Sequence, residues 1–119
     1  MSCNNASFRF KREEHLKGRS EIRKVFEKGR QFFCQGAKLY VLKSDLPHNR
    51  ICFTFPKGFG NAVARNRARR LGREAFRLLN SRLFCGNDLI LLVYVETNMA
   101  LSGRIKQFES LFNKAGLLK

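Results

Sequence analysis

The sequence predicts an α/β fold: one domain with a small sheet of up to four strands covered by helices. The element order is α-β-β-α-β-α, with the first strand region open to division in two. Three observations lead there. Ile51, Phe53 and Phe55 alternate with Cys52 and Thr54, which marks a half-buried strand. Leu89 to Val95 is an unbroken apolar run of strand length, the pattern of a strand buried on both faces. Residues 62–79 and 101–115 carry apolar side chains at helical spacing, and helices laid on a sheet are the simplest way to bury both.

Taken in order, residues 1–13 are polar and basic and read as a flexible arm, leaving 14–119 as the folded domain. Ser20 is placed to cap a short helix that runs to about Lys28 and ends at Gly29, with Ile22, Val25 and Phe26 on its apolar side. Arg30 to Lys43 is strand-like, with Leu39, Tyr40, Val41 and Leu42 consecutive. Asp45 to Asn49 is a turn, and the 51–55 strand follows. Pro56 to Gly60 breaks that strand, and Asn61 is a suitable N-cap for the next helix. Cys85-Gly86-Asn87-Asp88 is a second turn before the central strand. Leu101, Ile105, Phe108, Phe112 and Ala115 then form one face of a closing helix.

The helix after Asn61 carries the functional signal. Six arginines fall within the thirteen residues from Arg65 to Arg77, with Glu74 the one acid among them. At about 100° per residue, Ala64, Ala68, Leu71, Ala75, Leu78 and Leu79 form an apolar stripe. Arg69, Arg73 and Arg77 lie opposite, with Asn66 among them and Arg65 and Arg70 on the shoulders. A solubilising helix mixes signs to gain i,i+4 pairs; this one holds a single sign, apart from Glu74 paired with Arg70 or Arg77. Arginine also presents a planar donor fork that matches phosphate oxygens. The face therefore calls for a polyanion.

Composition agrees. The chain has 119 residues, 24 Lys and Arg against 9 Asp and Glu, and a net charge of +15. That imbalance points first to nucleic acid and second to an acidic membrane surface. No run is long enough to be a transmembrane helix, and Phe8 to Glu14 is charged where a signal peptide would be apolar. The expected compartment is the cytoplasm, with no membrane partner. Cys3, Cys34, Cys52 and Cys85 show no C-x-x-C spacing, so no metal site is expected. Cys52 and Cys85 read as reduced core thiols.

No catalytic constellation stands out. The two histidines, His15 and His48, neighbour polar or turn residues, and the acids are dispersed rather than clustered as a two-metal nuclease requires. A phosphate-cradling G-x-x-x-x-G-K-[ST] loop is missing. Three readings stay open on these residues alone: a structural RNA-binding protein of ribosomal type, a DNA-binding regulator, and, least favoured, a stand-alone nuclease.

Gly60-Asn61-Ala62-Val63-Ala64-Arg65-Asn66-Arg67-Ala68-Arg69-Arg70-Leu71-Gly72-Arg73-Glu74-Ala75-Phe76 strongly resembles the signature of the bacterial ribonuclease P protein component. Ser20–Gly29, Arg50–Lys57 and Asp88–Val95 resemble the flanking elements, so the likeness covers roughly residues 14–113. The resemblance implies a non-catalytic subunit of an endoribonuclease, whose partner RNA uses Mg2+ to remove the 5′ leader of precursor tRNA. It implies that the protein itself binds no cofactor, and that a left-handed β-α-β crossover surrounds the arginine helix. Carried over, Lys57, Arg65, Asn66, Arg67, Arg69, Arg70 and Arg73 face the catalytic RNA subunit. Ile22, Phe26, Lys38 and Tyr40 line the leader cleft. The chain departs from the family pattern at Ile22, often aromatic; at Gly58, usually the second of a lysine pair; and at Tyr94-Val95, commonly Arg-Lys.

Overall fold

Among the described residues, four strands form one mixed sheet, and three α-helices pack on its two faces. The computed structural model describes residues 14–94 and 100–119. Helix α1 (Arg19–Lys28) is followed by strands β1 (Arg30–Cys34), β2 (Ala37–Lys43) and β3 (Arg50–Thr54). Helix α2 (Ala62–Leu79) runs into a short 3₁₀ turn, Asn80–Arg82, then strand β4 (Asn87–Val93) and helix α3 (Leu101–Lys114). The strand order is β1-β2-β4-β3. β1 with β2 and β2 with β4 are antiparallel, while β3 and β4 are parallel neighbours joined through α2.

The long strand region divides at Gln35-Gly36. Cys34 pairs with Ala37 across this two-residue turn, and Gly36 takes φ 84°, a conformation that favours glycine at the third position of such a turn. β4 is central and buried on both faces, as its apolar run predicts. It begins two residues before Leu89 and ends at Val93; the expected strand end at Val95 lies outside the described residues, as does the arm 1–13.

Helix ends follow the sequence in part. Asn61 caps α2, its Oδ1 accepting from the Ala64 amide at 2.9 Å. α1 does end at Gly29, where a Cβ would lie 2.5 Å from the Val25 carbonyl oxygen and 3.1 Å from that of Val41. Its start differs: Gly18 occupies the cap position with φ 95°, and Ser20 lies inside the first turn without a capping bond. The reason is upstream. The Leu16 amide donates to the Ile51 carbonyl at 2.9 Å and His15 bridges Ile51, so the chain is pinned along β3 and must turn sharply before α1.

The two sheet faces differ. One is covered by α2 and α3, and its core joins Leu39, Val41, Ile51, Phe53, Leu89 and Leu91 to Phe76, Leu79, Phe108, Leu111 and Phe112. The α2 stripe is rotated from the sequence expectation: Gly72 and Phe76 are buried, and Leu78 is exposed. Gly72 permits this, since a Cβ there would lie 2.8 Å from the Phe53 ring. The other face holds a smaller cluster of Leu16, Val25, Tyr40 and Ile90, with Ile22, Phe26, Leu42 and Cys52 partly buried around it. Cys34 and Cys52 are free thiols, but Cys85 is disulfide-bonded, which overturns its reading as a reduced core residue.

Candidate nucleic-acid interface

The outer side of α2 forms a ridge of guanidinium groups. Arg65, Arg67, Arg70 and Arg73 are exposed, as is Asn66, and Arg69 is half-buried. Rotating the helix toward Phe76 draws Arg69 inward, where its guanidinium lies 5.3 Å from the centroid of the Phe55 ring. Arg69 also donates to Asn66 Oδ1 at 3.1 Å, so Asn66 aligns an arginine as well as facing outward. Arg65 donates to the Gly60 carbonyl at 2.7 Å, which holds its head over the N-terminus of the helix.

Glu74 is committed to Arg77, which donates to it through both Nε and a terminal nitrogen. Those hydrogen bonds hold the Glu74 carboxyl below the usual carboxylate range. Among the described residues, no carboxylate forms an ion pair with Arg65, Arg67, Arg69, Arg70 or Arg73. His15 lies near this ridge: burial, with Arg73 and Lys17 nearby, pushes its pKa below the ordinary histidine value.

Lys57 is exposed in the turn between β3 and α2, where the Phe59 amide donates to the Pro56 carbonyl at 3.1 Å. Gly58 takes φ 88° in that turn, the position that favours glycine. The departure from a second lysine there thus has a backbone reason.

On the opposite side of the sheet from α2, α1 and the strands form a second feature. Phe26 of α1 packs edge-on against Tyr40 of β2, with centroids 4.7 Å apart. The Lys38 Nζ lies 4.7 Å from the Tyr40 centroid. Ile22 contributes an aliphatic patch to the same cluster. The four cleft residues taken from the sequence are therefore together, although Tyr40 is only 8% exposed.

Sequence reasoning missed Arg50, which fixes this wall. Its Nε and a terminal nitrogen donate to both Asp88 oxygens, at 2.8 and 2.7 Å, and the terminal nitrogen also reaches Glu21 of α1 at 3.2 Å. Asp88 is 4% exposed, so this fork neutralises a buried carboxylate and ties α1 to the sheet. Glu14 is likewise buried, accepting from Asn80 Nδ2 at 2.7 Å. Among the described residues, no group of three or more His, Cys, Asp or Glu side chains could hold a metal ion.

A small, strongly basic α/β domain with a one-signed arginine helix on one side and a partly open sheet face on the other has the architecture of an RNA-binding protein. The family model described as Ribonuclease P matches residues 10–116. The chain belongs to this family, that of the bacterial ribonuclease P protein component, and is the non-catalytic protein subunit of a ribonucleoprotein endonuclease. The ribonuclease P protein component of Clostridium acetobutylicum is 34% identical over 110 residues, 90% of this chain and 92% of that protein. That of Natranaerobius thermophilus is 43% identical over 77 residues, 65% and 67% of the two chains. Among solved structures, the Staphylococcus aureus RNase P protein shares the fold at TM-score 0.80 and 21% identity, covering 89% of this chain and 98% of that one. The Thermotoga maritima RNase P protein does so at 0.77 and 19%, covering 85% and 96%.

Proposed function

We propose that the α2 ridge docks on the catalytic RNA of ribonuclease P, while the cleft between α1 and the sheet receives the single-stranded 5′ leader of precursor tRNA. The ridge carries this reading: five arginines on one helix without a carboxylate partner among the described residues. Their mutual repulsion is relieved by phosphates, and the guanidinium forks of Arg65, Arg67, Arg70 and Arg73 reach them directly. Arg69, stacked on Phe55, contributes charge at a fixed position. Lys57 extends the surface past the start of the helix. Hydrolysis uses Mg2+ held by the RNA. This chain supplies grip and alignment: Phe26 and Tyr40 give the leader an aromatic wall, and Lys38 supplies a cation beside it.

The test is reconstitution at low salt, with protein alone, RNA subunit alone and both together given precursor tRNA. Cleavage accelerated only by the combination is expected; cleavage by the protein alone overturns the reading. Arg70→Ala and Arg73→Ala should each weaken RNA-subunit binding and lower the dependence of log affinity on log salt by about one. Phe26→Ala should instead lower the preference for leader-bearing over mature tRNA. Equal losses of both affinities across the set would sink this division of labour, and a purely structural RNA-binding role would leave leader preference unmoved.

A further inference from the structure

The cleft residues identified so far offer little free aromatic surface. Tyr40 is 8% exposed, with Phe26 edge-on to its ring and Lys38 beside it. Phe33 of β1, by contrast, is 54% exposed. It pairs directly with Lys38 across the β1–β2 ladder, as Gln31 pairs with Tyr40, so Phe33, Lys38 and Tyr40 share one sheet face. β1 alternates accordingly: Phe32 and Cys34 pack against the core under α3, and Phe33 points to the opposite side. α1 lies over β2 and β4 and leaves this edge of the sheet uncovered.

One ammonium lies beside the exposed ring and a second at the strand's backbone. The Lys38 Nζ lies 4.8 Å from the Phe33 centroid and 4.7 Å from that of Tyr40, placing one ammonium between the two rings. Lys114 reaches across from α3 to donate to the Phe33 carbonyl at 2.6 Å. An exposed ring with an ammonium beside it suits an unpaired nucleotide, whose base stacks while its phosphate meets the lysine.

Position in the sheet assigns the nucleotide. β3 leads directly into α2, so the arginine ridge rises from the β3 side; β1 is the far edge, three strand spacings or roughly 14 Å away. We infer that Phe33, with Lys38 beside its ring, is a stacking platform for a leader nucleotide farther from the cleavage point than those held between α1 and the sheet, Lys114 holding the main chain of the strand that carries it. This rests on the leader-cleft reading above and extends it to a specificity-determining residue.

The experiment uses the reconstituted holoenzyme with three ligands: precursor tRNA with a long leader, the same tRNA with the leader trimmed to its first nucleotides, and mature tRNA. Phe33→Ala should weaken binding of the long-leader substrate by roughly fivefold to tenfold and leave the other two unchanged. Phe33→Tyr, which keeps the ring, should restore it, and Lys38→Ala should share part of the loss. An unchanged long-leader affinity overturns the platform, as does an equal loss on all three ligands. If Phe33→Ala instead changes the sedimentation of the free protein, the ring packs on a second copy and the proposal falls. Phe26→Ala separates the two readings: if it still lowers leader preference while Phe33→Ala does not, only the platform fails; if neither does, the cleft reading fails with it.

Discussion

The two faces of the sheet use the same strands to opposite ends. Under α2 and α3, side chains from every strand meet rings and leucines from both helices, and the interface is mainly apolar, although Arg104 of α3 is buried beside the Phe108 ring. Under α1, the cluster is smaller, bordered by Lys38, Arg50 and Glu21, and open toward β1. Close-packed burial on one side carries stability, so the other side is free to remain partly unfilled and to meet a ligand. Residues on a single strand, β3, report on both sides at once.

Phe53 points into the closed face, parallel to the Phe108 ring with centroids 6.2 Å apart. Phe53→Ala should cost about 3–5 kcal/mol in chemical denaturation, the largest effect on this strand. Arg50 points to the open face. Arg50→Ala should cost about 2–3 kcal/mol, because Asp88 is left buried without its partner. It should also lower leader preference in the holoenzyme, because α1 loses its tie to the sheet; retained preference would show that apolar packing of Val25 alone sets the wall. Cys52, beside Phe53 but facing the open side, is a partly buried free thiol. Cys52→Ala should change stability by less than about 1 kcal/mol. A loss as large as that of Phe53→Ala would erase the distinction between the faces.

Elements whose patterns are local were legible in the sequence. The Asn61 cap, the end of α1 at Gly29, the central strand and the α3 face all follow from spacing and residue type. Features set by distant contacts were not. Ser20 has the right chemistry for a cap, but Leu16 is pinned to Ile51 and moves the helix start to Gly18. Leu78 has the right hydropathy for the core, but a helix can turn its glycine inward where a large ring needs room, and Leu78 is then displaced outward. Among the site residues, Ile22, Phe26, Lys38 and Tyr40, which the resemblance groups, lie near one another, because each sits on a predicted element. Arg50 and Phe33 escaped notice because nothing local shows which sheet face a helix leaves bare.

Gly72 has a consequence beyond packing. The Phe53 ring occupies the space that a methyl group would fill, so α2 seats against the sheet in one angular setting. Every guanidinium on that helix inherits its compass bearing from this seat. The docking proposed for this helix needs those bearings held in common, and here a missing carbon atom on the inside aims the charges on the outside.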